Sequence, residues 1–174
     1  MANPMHWGPQ RTGYFEVVRG ANLVQEDAFP VEVDGTTDSG IVELNEGEWA
    51  TVDATGKACK SDSDADEVCA YPVVTGYERS DVTGSKSVTL AVGSGYWLET
   101  SGWDSTNKTA DDFPAGTECC IKNGLLYPVA SGEFILAIVK RGAKLQQTDG
   151  QRALRRDGFT TILVEVGPRG YKPA

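Results

Sequence analysis

This chain of 174 residues is poor in the side chains that carry most enzyme chemistry. Histidine occurs once, at His6. A histidine general base or a histidine-containing zinc site therefore has almost nothing to draw on. No run reaches the ~18 apolar residues that span a bilayer, and MANPMHWGPQRTGYF lacks the basic and then apolar regions of a secretion signal. The expectation is a soluble protein made in a cytoplasm. No Walker-type glycine loop, GxSxG or HExxH occurs, so the familiar signatures of phosphate binding, acyl transfer and zinc hydrolysis are missing. No motif calls for a cofactor. Bases are outnumbered, 16 against 25 acids, for a net charge of −9. Nucleic acid and anionic membrane, which need a basic face, are not expected partners.

Helical periodicity is nearly absent too, and what replaces it is alternation of apolar and polar residues at strand period. YFEVVR (14–19), PVEVD (30–34), IVEL (41–44), EWATVD (48–53), SVTLAV (87–92), GYWLE (95–99), ECCIK (118–122), EFILAIV (133–139) and FTTILVEV (159–166) all read as strands. Asn123-Gly124 in IKNGLL supplies the two positive-φ positions of a type I′ hairpin turn. Short strands with twenty glycines predict an all-β barrel or sandwich. One helix is conceivable, in AKLQQTDGQRALRRD (143–157), where Asp149-Gly150 interrupts it. Its second half would set Arg152, Arg155 and Arg156 on one face. GEWATVDATGKA (47–58) and GTECCIKNGLL (116–126) also echo one another, each followed by Tyr-Pro-Val at 71 and 127.

Residues 1–13, with two prolines and two glycines, form an extended arm preceding one β-rich domain, 14–174, in which 45–140 can be an inserted sub-lobe. The arm carries Met5, His6 and Trp7 and leads into Tyr14 and Phe15. Aromatic groups of this kind are exposed at a cost unless something covers them. Charge is unevenly spread. Residues 26–67 hold thirteen acids and two bases, net −11, whereas 140–157 hold six bases and two acids, net +4. The basic segment either folds against the acidic surface of its own body or docks on an acidic neighbour, such as another copy.

The cysteines read as structural. Cys119 and Cys120 are adjacent on a strand, so their thiols point to opposite faces and do not converge on a metal. Cys59 and Cys69 flank an acidic loop and can close it by a disulfide, although a cytoplasmic origin favours thiols. Asp62, Asp64 and Asp66 alternate as in calcium loops, but the sixth and twelfth positions hold Glu67 and Val73 where an EF-hand needs Gly and Glu. No metal and no catalytic residue is assigned. Trp49 and Trp97 sit in alternating strands and read as core. Trp103, in SGWDSTNKT, is the loop tryptophan that could form a sugar platform.

GEWATVDATGKACKSDS, AYPVVTGYERSDVTGSKSVTLAVGSGYWLET and FPAGTECCIKNGLLYPVASGEFILAIV together resemble the capsid decoration, or cement, proteins of tailed bacteriophages over about residues 45–140. The resemblance implies a non-enzymatic virion protein on the outer surface of the phage head. It also implies a major capsid protein and the chain itself, as a homotrimer, for partners, and stabilisation by bridging capsid subunits. Met5, His6, Trp7, Tyr14, Phe15, Arg152, Arg155 and Arg156 are the expected capsid or subunit contacts, because aromatics and arginine dominate interface energetics. The alternatives are another phage structural component, a tail-tube or head-completion protein, and a carbohydrate-binding β module.

Overall fold

The computed structural model describes residues 13–20, 23–30, 44–52, 54–60, 70–75, 87–146 and 158–172. Among them lie eleven strands: β1 (Phe15–Arg19), β2 (Leu23–Pro30), β3 (Trp49–Val52), β4 (Ala58–Lys60), β5 (Tyr71–Thr75), β6 (Ser87–Gly93), β7 (Trp97–Thr100), β8 (Glu118–Lys122), β9 (Leu125–Pro128), β10 (Glu133–Gln146) and β11 (Phe159–Lys172). A single 3-10 turn, Ala110–Asp112, is the only helical element among the described residues. The strands form two antiparallel sheets, a six-stranded one ordered β1-β7-β11-β10-β8-β9 and a five-stranded one ordered β2-β6-β5-β3-β4. The fold is all-β, and the two sheets share one core, as in a sandwich.

Alternation decides what enters that core. Leu98 and Thr100 on β7, Ile162 and Val164 on β11, Ala137 and Val139 on β10, and Cys119 and Ile121 on β8 are all buried. From the five-stranded sheet Trp49 and Ala91 join the same cluster, with Val74 packed against it. Most of their sequence neighbours turn the other way, whereas Leu136 joins Ala137 in this cluster beside the register shift there. Ala50, Val73, Val88 and Leu90 form a second buried cluster with Leu44 and Ala58, so the five-stranded sheet is covered on both faces there.

The two sheets are stitched end to end by backbone contact. The Gly47 carbonyl accepts from the Thr100 hydroxyl at 2.6 Å, and that hydroxyl accepts from Gly102 N–H at 2.9 Å. Trp49 N–H donates to the Gly124 carbonyl in the β8–β9 turn. A Cβ on Gly102 would lie 1.9 Å from the Gly47 oxygen, and one on Gly47 would lie 2.2 Å from the Tyr14 oxygen. Only glycine lets three chain segments approach so closely, and Gly47 also holds φ +85°.

The structure departs from the sequence expectation in several places. β2 was not expected, because VQED offers no clean alternation. PVEVD and IVEL lie outside the described residues except for Pro30 and Leu44. Residues 143–146, expected to open a helix, are strand: β10 runs on to Gln146 opposite Phe159. Register shifts between Ile135 and Ala137, Val139 and Arg141, and Arg141 and Lys144 let the long hairpin bend, and the two beside Arg141 break the period that would have announced a strand. The 3-10 turn was also missed, although Thr109 and Asp112 form a capping box around it. The internal echo has a structural counterpart. Tyr71 and Pro72 pair with Ala50 and Trp49 as Tyr127 and Pro128 pair with Cys120 and Cys119.

Candidate functional site

The stitched end of the sandwich carries a groove of about 370 Å³ lined by Asn45, Glu46, Glu48, Ser101, Trp103, Ser105, Leu125, Gly158, Phe159 and Thr160. Four separate segments build it, and each is held by bonds already needed for folding. Glu48 accepts from Asn45 N–H at 3.0 Å and from Asn45 Nδ2 at 3.1 Å, and it pairs with Lys60 at 3.2 Å. Those contacts fix the bend that presents Glu46. Trp103 lies edge-on to Phe113, ring centroids 5.2 Å apart, and its Nε1–H donates to the Thr160 carbonyl at 3.0 Å. That bond ties the first residues of β11 to the groove. Asp104 is buried and accepts from Thr106 N–H, Asn107 N–H and Asn107 Nδ2, which sets the loop bearing Ser105. Burial raises the Asp104 carboxyl, but these bonds outweigh it and hold it below the usual range.

A second anchor fixes the same end of the β10–β11 hairpin from the outer face. Glu99, 5% exposed, accepts from Thr161 Oγ1 at 2.7 Å and Gln146 Nε2 at 2.5 Å and pairs with Arg141. Burial raises its carboxyl, and the three hydrogen bonds with the Arg141 charge more than reverse that and hold it below the ordinary carboxylate range. Arg141 and Gln146 reach one carboxylate because the bulges bend β10 between them.

The sequence-assigned site residues fall into two groups. Met5, His6, Trp7, Arg152, Arg155, Arg156 and Cys69 lie outside the described residues. Tyr14 and Phe15 are buried and serve the body. Tyr14 N–H donates to Ser101 Oγ, its carbonyl accepts from Ser101 N–H, and its hydroxyl bonds Glu16, while Phe15 belongs to the main core. Tyr14, just ahead of β1, and Phe15, its first residue, are thus both covered by the body of the chain. Cys59 Sγ lies 3.2 Å from Thr51 Oγ1 on the neighbouring strand. Cys119 enters the core, and Cys120 on the opposite face is also buried, covered by Tyr127 and Glu133, with its thiol 3.4 Å from Glu133 Oε2. Burial pushes both thiols up to about 12.

The tryptophans exchange the roles expected of them. Trp103, the candidate sugar platform, is 5% exposed and spends its ring on Phe113 and its N–H on Thr160. Trp97, expected in the core, is partly exposed on the outer face between Arg19 and Lys140, whose charges sit 5.5 and 5.7 Å from its ring centre. Among the described residues no cluster of His, Cys, Asp or Glu gathers to hold a metal ion.

Sequence reasoning missed the groove residues Asn45, Glu46, Glu48, Ser101 and Phe159. The local signal was Gly-Glu-Trp and Gly-Trp, two glycines each just before a tryptophan, but their mutual contact is a tertiary fact. The lining combines two carboxylates, of which Glu48 is paired with Lys60, an amide and the hydroxyl residues Ser101, Ser105 and Thr160 with Trp103, Leu125 and Phe159. Comparison with family models, curated proteins and solved structures returns no match.

Proposed function

We propose that this chain is a non-enzymatic virion structural protein that binds the outer surface of a tailed-phage head and bridges neighbouring copies of the major capsid protein, acting as a homotrimer. One observation carries the reading. Both elements assigned as contacts from sequence join the body at the same groove. Gly13, the last residue of the arm, abuts the Glu46 carbonyl and Ser101, and Gly158, which follows the basic segment 140–157, lines the groove itself.

A clasp needs a stiff body with its contact elements gathered on one side, so that one docking event engages several weak contacts together. The two sheets supply stiffness through a shared core and the glycine stitch. The Trp103–Thr160 bond and the Glu99 cluster fix the start of β11 and the end of β10, the two described ends between which Arg152, Arg155 and Arg156 fall in sequence. The resemblance over residues 45–140 supplies the identity of the lattice.

The test is saturable co-sedimentation of the purified protein with undecorated phage heads, followed by imaging of the particles. Bound density at local three-fold positions is expected, with weaker attachment once residues 2–13 are deleted and with no retention on a glycan array. Turnover of a small molecule, or shells that stay bare, would remove the proposal.

A further inference from the structure

Glu48 joins an amine to an amide. Its Oε1 accepts from Asn45 Nδ2 at 3.1 Å and from Lys60 Nζ at 3.4 Å, while its Oε2 accepts from Asn45 N–H at 3.0 Å and lies 3.2 Å from the same Nζ. Each member is placed by backbone that the fold already needs. Asn45 and Glu48 close one turn, with Glu48 N–H donating to the Asn45 carbonyl at 3.0 Å. Lys60 arrives from β4, where it pairs with Ala50. Its stem lies over the β8–β9 turn, since a Cβ on Gly124 would fall 2.9 Å from Lys60 Cγ and 3.0 Å from Cε. The side chains of Lys60 and Glu48 are 25% and 13% exposed, so the pair is shielded from bulk water on most sides.

An ion pair by itself needs no amide. An amine, a carboxamide and a carboxylate in contact are the parts of one acyl transfer, with nucleophile, acyl carbon and proton carrier. We propose that Lys60 and Asn45 become joined by an isopeptide bond, with Glu48 carrying the protons. Glu48 takes a proton from the Lys60 ammonium. The freed electron pair on Nζ attacks Asn45 Cγ, and the carbonyl π pair moves onto Oδ1. Glu48 hands its proton to Nδ2 and takes another from Nζ. The Cγ–Nδ2 bond then breaks as the carbonyl re-forms, and ammonia leaves with the last proton as ammonium. One alkylammonium and one primary amide become one secondary amide and one ammonium ion. No oxidant or reductant enters, and Glu48 ends as it began.

Because both nitrogens already bond to one oxygen, side-chain torsions of Lys60 and Asn45 are all that is needed to bring Nζ within the ~3–3.5 Å of Cγ required for attack. The step happens once per chain and involves no turnover. Its product ties β4, a three-residue edge strand, to the turn whose Gly47 carbonyl holds the six-stranded sheet through Thr100. A covalent closure between positions 45 and 60 restricts the unfolded chain as a disulfide does. None of this depends on the function proposed above.

Tryptic mapping of the full-length protein by mass spectrometry, after overnight incubation at neutral pH and then unfolding under reducing conditions, tests the bond. Segments 20–57 and 58–79 are expected as one branched species, lighter than the two together by one ammonia and uncut after Lys60. Lys60→Arg keeps a cation beside Glu48 but should give no branched species. Glu48→Gln keeps the side-chain shape and should form it about a hundredfold more slowly. Complete cleavage after Lys60 in the unsubstituted protein is what an ion pair alone predicts, and it overturns the proposal whether or not the variants fold. Loss of ammonia confined to segment 20–57 overturns it too, because that is a succinimide at Asn45. A branched species that forms equally fast in Glu48→Gln overturns the role given to Glu48.

Discussion

Replacing Gly102 by alanine tests whether the glycine stitch holds the sandwich and its groove together. The new Cβ would sit 1.9 Å from the Gly47 oxygen, 2.6 Å from the Gly47 carbonyl carbon and 2.9 Å from Glu48 Cα. All three are backbone atoms, so no side chain can swing aside. Relief requires the 47–48 segment to move by roughly 1.5 Å to reach ordinary contact. That strains or breaks the Thr100 hydroxyl bonds to Gly47 and Gly102 and the Leu126 N–H bond to the Gly102 carbonyl, at 2.6, 2.9 and 2.8 Å. At about 1 kcal/mol for each of the three bonds and about 1–3 kcal/mol for overpacking, the expected loss is about 4–6 kcal/mol. A domain of this kind has only about 5–15 kcal/mol in all. Gly56→Ala is the control. It has nothing within 4 Å and only a φ of +81° to strain, which costs about 1–2 kcal/mol. Urea unfolding followed by tryptophan fluorescence and far-UV circular dichroism measures both. If Gly102→Ala unfolds within about 1 kcal/mol of Gly56→Ala, the close approach of segments 47–48 and 102 is not a constraint on the fold and the reasoning fails.

Acid should weaken the fold. Glu99, Asp104 and Glu133 all sit below their usual range in the folded state, so their stabilisation is full above the unfolded values near ~4 and drains as pH falls through the lower folded values. The urea midpoint is expected to drop steadily below about pH 5. In Glu99→Gln, which starts about 1–2 kcal/mol less stable after discounting for the partly exposed Arg141, the drop should be shallower; an unchanged pH profile would contradict the assignment. Cys119 and Cys120, with thiols pushed up to about 12, should resist maleimide in the native protein at pH 8 and react only as the chain unfolds. Their raised values stabilise the fold below the free-thiol range and lose that contribution as pH climbs above it. Labelling of either thiol at the rate of an exposed cysteine would show that the β8 strand is not buried on both faces.

The all-β class was legible because its cause is local. Alternation in GYWLE, ECCIK and FTTILVEV needs only the two-residue period of an extended chain, and Asn123-Gly124 announced its hairpin through the positive φ that both residues adopt, 49° and 73°. The opposite facing of Cys119 and Cys120 followed from the same period. Elements whose period is broken were illegible. The far half of β10 carries bulges around Arg141 and reads as a basic, partly helical stretch, yet it is strand because β11 pairs with it and Glu99 gathers Arg141 and Gln146.

What the amino-acid sequence determined by itself is the run of strands, the turns between them and the separation of acidic from basic segments, since each depends on residues within a few positions of one another. The tertiary structure alone decided that Trp103 is buried and Trp97 is partly exposed. It also decided that Gly47 and Gly102 touch, and that Gly13 abuts, and the start of β11 lines, one groove. Those facts join positions more than fifty residues apart. No local pattern can encode a distance that exists only once two sheets have packed.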